Sequence, residues 1–213
     1  MPVRCHSAGV RRAARRRTAA MLGATAGLLG LFGCAARESR MELAAFRDPY
    51  FPERIALELH ECAYRMDAGG DYHVVARAQS SSALIPPGAA QLLHIRMFWR
   101  PFPGRSPAHA SGVDAMIRLA VSTTGGAAVY SGTAFVYADP RKLRGAAADG
   151  TPIALRLERA ELRLETLSGD ATDTLGSIRA QGTVRAAADP NIALEVARQV
   201  DRAMSGPGGA GAR

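Results

Sequence analysis

Acidic residues are missing from the first 33 positions of this 213-residue chain, where Arg4, Arg11, Arg12, Arg15, Arg16 and Arg17 stand unopposed. The net charge of +8 is concentrated there. Of 27 Lys and Arg residues six precede Cys34, leaving 21 against 19 Asp and Glu and a net charge of +2 for the remainder. A basic excess confined to a leader is no footprint for nucleic acid, so none is expected as a partner. Cysteine is scarce too. Cys5 lies in the leader, so only Cys34 and Cys62 remain beyond it, and if Cys34 is chemically blocked no intramolecular disulfide is left to staple the fold. There is no Cys-x-x-Cys, His-Glu-x-x-His, Gly-x-Ser-x-Gly elbow or phosphate-binding glycine loop, and no internal repeat. No cofactor, metal centre or assembled catalytic set is therefore expected. The leading apolar run, Thr18 to Gly33, is interrupted by Gly23, Gly27 and Gly30 and ends on glycine. It is shorter than the stretch of about 20 apolar residues that a spanning helix needs.

What is present at the start is a basic region, then that short apolar run, then small residues, which is the order of an export signal. Leu31-Phe32-Gly33-Cys34 resembles the lipobox of bacterial lipoproteins, matching at Leu31, Gly33 and Cys34, with Phe32 where the class usually has a small or aliphatic residue. The resemblance implies diacylation of the Cys34 thiol, cleavage before it, and a domain held on the cell membrane or outer membrane. Ala35, in place of the aspartate that often retains such proteins at the inner membrane, leans toward the outer one. One acyl chain anchors marginally and two or more anchor stably. An uncleaved signal anchor and ordinary cleavage near Gly33 to Ala36 are the other readings, and both still export the domain. Arg16-Arg17 before the run makes only a weak twin-arginine match.

Residues 34–52 read as a tether, because Arg37 to Arg40 are polar and Asp48-Pro49-Tyr50-Phe51-Pro52 sets two prolines around two aromatics. The domain is expected over residues 53–204, and residues 205–213 are expected to be disordered. Alternation at Ile55, Leu57 and Leu59 switches parity to Cys62, Tyr64 and Met66, which predicts a bulge near His60 and Glu61. The Gly69-Gly70 turn then leads into a returning strand at Tyr72. Leu92 to Trp99 alternates as a half-buried strand, Leu93, Ile95, Met97 and Trp99 on one face against His94, Arg96 and Phe98 on the other. Ala115 to Thr123 and Ala127 to Ala138 form a second hairpin closing at Asp139-Pro140, and Ile178 to Ala186 is the last strand. Thr151 to Glu165 fits either a helix or a long strand with one parity shift, and the strand is favoured. Asp189 followed by Pro190 caps a helix whose Ile192, Val196, Val200 and Ala203 make one apolar stripe. The expected class is all-β: an antiparallel β-sandwich or partly open barrel of about seven strands with one C-terminal amphipathic helix.

Three constellations invite chemistry. His109, Ser111 and Asp114 supply the residue types of a hydrolase triad, but a triad draws its members from separate elements rather than one short segment. His60 and Cys62 are two apart, with the predicted bulge between them and no further ligands at metal spacing. The third is an aromatic and basic stretch, in which Phe98, Trp99, Arg100, Phe102 and Arg105 form a candidate binding surface, since aromatic faces beside guanidinium groups stack on sugars or attract anions. In the alternative reading Trp99 is core and Phe98 lies under the C-terminal helix. The expected function is a lipid-anchored envelope module, non-catalytic rather than an enzyme, binding an envelope protein, glycan or lipid. Alternatives are an envelope hydrolase using His109, Ser111 and Asp114, or a carrier of a hydrophobic ligand in a barrel interior.

Overall fold

Alternate side chains of eight consecutive antiparallel strands point to one side, and the sheet curls until its first strand meets its last, making a closed barrel. The computed structural model describes residues 39–98 and 111–206. In chain order these form β1 (Arg40–Phe46), β2 (Glu53–Met66), β3 (Tyr72–Gln79), β4 (Ala90–Met97), β5 (Ser111–Ser122) and β6 (Gly126–Ala138). A helix α1 (Pro140–Asp149), β7 (Ile153–Gly169), β8 (Ser177–Ala188) and a helix α2 (Pro190–Ser205) follow. The all-β class and the C-terminal helix agree with the sequence reading. The barrel is closed and eight-stranded where a sandwich or a partly open barrel of about seven strands was expected.

The extra strand is β1, in the stretch read as a tether. Met41, Leu43 and Ala45 are buried and alternate with Arg40, Glu42 and Ala44, a short half-buried strand signal that the nearby prolines obscured; those prolines belong to the β1–β2 turn. β1 pairs with β2 on one side and β8 on the other. Below its start, β2 and β8 meet directly, Ala63 against Ala187 and Tyr64 against Ala188, in a parallel pairing. The predicted bulges are present. Glu61 adopts φ 45° where the β2–β3 register shifts, and Arg159 adopts φ 52° where the β7–β8 register shifts, so β7 is the long bulged strand rather than a helix.

The lumen is filled by side chains of all eight strands, among them Leu57, Val74, Ile95, Ile117, Val136, Leu155 and Val184. One end is stoppered by α1, whose Leu143 and Ala146 join that core. The Tyr72 hydroxyl donates to the Leu143 carbonyl (2.6 Å), and the Tyr64 hydroxyl lies within hydrogen-bond distance of the carbonyls of Ala146 (3.1 Å) and Thr151 (2.8 Å). This helix was read only as a closing turn. Its start matches that of α2, an Asp139 cap accepting from the Arg141 amide, and a left-handed Gly150 follows its last turn, but of its described side chains only Leu143 and Ala146 are buried. The other end is closed by Leu175 and Ile85, with the Tyr130 hydroxyl donating to Asp173 (2.8 Å).

A second core lies outside the barrel. α2 lays Ala193, Val196, Ala197 and Val200 on Ala63, Val75, Leu92, Ala120 and Val129, which point outward from β2 to β6. Arg77 secures the helix by bonding Glu195 (2.9 Å) and Gln199 (3.3 Å) while also holding Glu61 (2.7 Å). Gly182 of β8 tests the closure. A Cβ there would strike the Arg40 carbonyl of β1, so Gly182→Val is expected to push β1 off β8 and cost about 1–3 kcal/mol, read as a lower midpoint in denaturant unfolding. An unchanged midpoint would mean that β1 contributes little to the seam.

Candidate functional site

Next to α2 the outer wall turns polar. On β3, His73 sits opposite Arg65 of β2 and Arg96 of β4, and His94 of β4 sits opposite Arg118 of β5. Outward parity places these side chains together on adjacent strands. The two imidazoles stack with centroids 5.3 Å apart and planes 18° apart, and His73 Nδ1 lies 3.1 Å from His94 Nε2. His73 Nε2 lies 3.1 Å from Asp67 Oδ2. Asp67 belongs to the β2–β3 turn, where its other carboxylate oxygen accepts from the amides of Gly69 (2.8 Å) and Asp71 (3.0 Å).

The network continues outward. Asp71 Oδ2 accepts from Arg96 Nε (3.0 Å) and from a terminal nitrogen of the same guanidinium (2.7 Å), and Arg96 in turn stands over the Phe98 ring at 4.9 Å. An unbroken chain of contacts thus runs from buried His94 to Phe98, which is 42% exposed at the end of β4. A carboxylate carries no proton, so the hydrogen shared with Asp67 sits on His73 Nε2. His73 Nδ1 and His94 Nε2 then share the next hydrogen of the chain between them.

Electrostatics keep the inner ring neutral. Burial lowers the pKa of His94 to about 4, helped by the neighbouring charges of His73, Arg118, Arg65 and Arg96. The bond from His73 holds the Asp67 carboxyl below its ordinary range, with the Asp71 amide adding to it. Arg118 is itself tied to Asp201 of α2 (3.3 Å) and lies 4.0 Å from Glu165 of β7. Among the described residues, the Nε atoms of Arg65 and Arg118 are buried without a hydrogen-bond partner. The histidine pair is wedged between arginines, and its contacts run through the Asp67-to-Asp71 turn to Arg96 and Phe98.

Of the residues singled out from sequence, Phe98 is placed at this surface, exposed rather than beneath α2. Trp99, Arg100, Phe102, Arg105 and His109 lie outside the described residues, as does Cys34. Ser111 and Asp114 are brought only as far as the backbone of β5, opposite Ala138 and Phe135, and their side chains are likewise outside the description. The bulge separates His60 from Cys62: His60 is exposed, whereas Cys62 packs against the lumen core and burial raises its thiol pKa. Among the described residues no three His, Cys, Asp or Glu side chains converge as metal ligands. Two shallow grooves lie on the outer wall, one of about 490 Å³ lined by Arg40, Glu42, Arg156 and Arg185 among others, and one of about 160 Å³ by Phe46, Glu161 and Arg179. Glu158 and Glu161 pair there with Arg156 and Arg179 as solvated partners.

Sequence reasoning saw His94, Arg96 and Phe98 as one face of β4 but missed the partnership with His73, Asp67 and Asp71. The signal was in the Asp67-to-Asp71 turn, where two aspartates flank the glycine pair. Compared with known protein families, curated proteins and solved structures, the chain matches none of them.

His94 carries a pH signature. Unfolded, it takes up a proton near pH 6.5; in the barrel it does so only near 4. Stability present above pH 6.5 is therefore lost progressively as the pH falls toward 4, by about 2–3 kcal/mol, and levels off below. The Asp67 contribution fades only below the ordinary carboxylate range. His94→Gln is expected to flatten the dependence between pH 6.5 and 4 in denaturant titrations, and an unaltered slope would assign it elsewhere.

Proposed function

We propose that this chain is a bacterial envelope lipoprotein, anchored through acylated Cys34 to the cell membrane or outer membrane, whose barrel is a non-catalytic module that binds an envelope protein, glycan or lipid on its outer wall. The observation that carries the reading is the Arg96–Phe98 stack. An exposed aromatic ring and a guanidinium held by Asp71 are a preorganised recognition pair, and order imposed before binding is order that binding need not supply. From Phe98 the chain passes directly into Trp99, Arg100, Phe102 and Arg105, which continue the same chemistry in sequence.

The filled, double-stoppered lumen favours an outer-wall site over a lumenal one. Eight strands enclose just enough space for side chains, and here the tyrosine hydroxyls that bridge to the plugs are hydrogen-bonded rather than turned to a ligand. The Asp67–His73–His94 chain supports a positioning role, because it is tied through the Asp71 turn to Arg96 and Phe98. By resemblance, Ala35 after the acylated cysteine favours the outer membrane.

Two measurements test this. Cys34→Ser is expected to remove the acyl mass from the membrane-extracted protein and weaken its retention, and unchanged mass and retention would refute the anchor. In affinity isolation from solubilised membranes, Phe98→Ala and Arg96→Ala are each expected to reduce recovery of the enriched partner about tenfold, the loss typical of an interface anchor, with the unfolding midpoint unchanged for Phe98→Ala. Equal recovery with both variants would move the binding surface elsewhere.

A further inference from the structure

We propose that the β1–β2 hairpin tip is a second membrane contact, with Tyr50 and Phe51 seated in the interfacial layer of the bilayer that holds Cys34, and the barrel lying on its β1 and β8 side. The proposal rests on the acylation reading above for the orientation, but not for the contact itself.

Tyr50 is 85% and Phe51 77% exposed, adjacent in sequence. The other large apolar side chains at the described surface, Met66, Phe98, Phe135 and Leu167, are about half covered. Two neighbouring aromatics this bare are a costly surface in water unless something covers them. The tip is also preformed. Pro49 and Pro52 restrict the backbone on both sides, and the Tyr50 amide donates to the Asp48 side chain at 2.8 Å, closing an Asx turn. At its base Arg179 of β8 stands over the Phe46 ring at 5.2 Å. Tyr and Phe on a stiff loop suit the bilayer interface, where the rings lie among headgroups and upper acyl chains and the phenol keeps a wet partner.

Chain length keeps the lipid surface within reach of the tip. Residues 35 to 39 separate Cys34 from the start of β1, and six peptide steps span at most about 20 Å. β1 carries the chain a similar distance, about 20 Å, from Arg40 to the hairpin. A linker of this reach lets the bilayer that would hold Cys34 also meet the aromatic tip when β1 runs along it. The side turned down would then be β1 and β8, whose exposed charges are Arg40, Arg179 and Arg185 against Glu42, a cationic balance suited to anionic headgroups. In the closed barrel β4 and β5 stand across from β1 and β8, so α2 and the Phe98–Arg96 surface face away from the lipid.

The test uses the full acylated chain carrying Trp99→Phe with Phe51→Trp, in vesicles of phosphatidylethanolamine and phosphatidylglycerol with or without brominated acyl chains. Bromine is expected to quench roughly half of the tip emission, since an interfacial indole lies near the upper chains. Arg198→Trp on the exposed face of α2, in the same background, should keep its emission. No quenching at position 51, or equal quenching at both positions, would overturn the proposal. Intact mass reports acylation separately. If Cys34 proves unmodified, the Phe51→Trp protein is mixed with the same vesicles: quenching sustains the tip contact, and its absence overturns it. Amide exchange across residues 47–52 of the unsubstituted protein reads the contact without a variant, slowed several-fold on vesicles if the tip is seated and unchanged if it is not. Self-association abolished by Tyr50→Ser with Phe51→Ser, and no quenching, would assign the tip to a second copy instead.

Discussion

The pairing of β1 with β8 is the constraint from which the rest of the molecule follows. Without it the sheet would have two open edges in its upper half, each offering unpaired backbone groups for adventitious pairing. With it, the inward side chains enclose a single lumen and the outward ones form a continuous wall. Closure also fixes where the two ends of the lumen lie. α1 and the turn before β8 can act as stoppers because the rims they meet are rigid, and Tyr64, Tyr72 and Tyr130 then spend their hydroxyls on those stoppers. Burying a phenol is tolerated when its hydroxyl is bonded, so the same residues fill the core and seal it.

A filled lumen leaves the outer wall as the surface open to solvent. The outer wall is divided between an apolar strip covered by α2 and a polar network beside it, and the two are joined through Arg118, which reaches Asp201 on the helix while flanking His94. Burial, with the arginines around it, lowers the His94 pKa to about 4, so that ring stays neutral at ordinary pH. The Asp67 carboxylate, braced by two turn amides, steadies the turn that carries Asp71, and Asp71 in turn holds Arg96. Phe98 then stands just past the end of β4, beneath the Arg96 guanidinium.

Much of this was legible in the order of residues, and the failures have physical causes. Alternation in β2, β4 and β7 was long enough to reveal strands, parity switches and bulges, since each bulge leaves the next inward residue one position late. Asp189-Pro190 with its apolar stripe marked α2 unambiguously. β1 escaped because three inward residues are a short signal beside two prolines, and α1 escaped because a stopper needs only Leu143 and Ala146. With β1 unread, the count came to about seven strands rather than eight, and sandwich and partly open barrel stayed side by side. At the site, single-strand periodicity put His94, Arg96 and Phe98 on one face. The His73–His94 stack depends on hairpin register across two turns, and the role of Asp67 depends on turn amides, neither of which a linear pattern encodes.

The seam joins residues 40–46 to residues 177–183, the first strand to the last. A chain made or threaded with its amino end leading therefore presents β1 long before its second neighbour exists. Until β8 emerges, β1 can rest only on β2, and the barrel remains an open, curling meander with one raw edge. Long-range closure of this kind is slow and arrives late. The barrel therefore closes only once residues 177–183 lie beside residues 40–46, when nearly the whole chain is available to it.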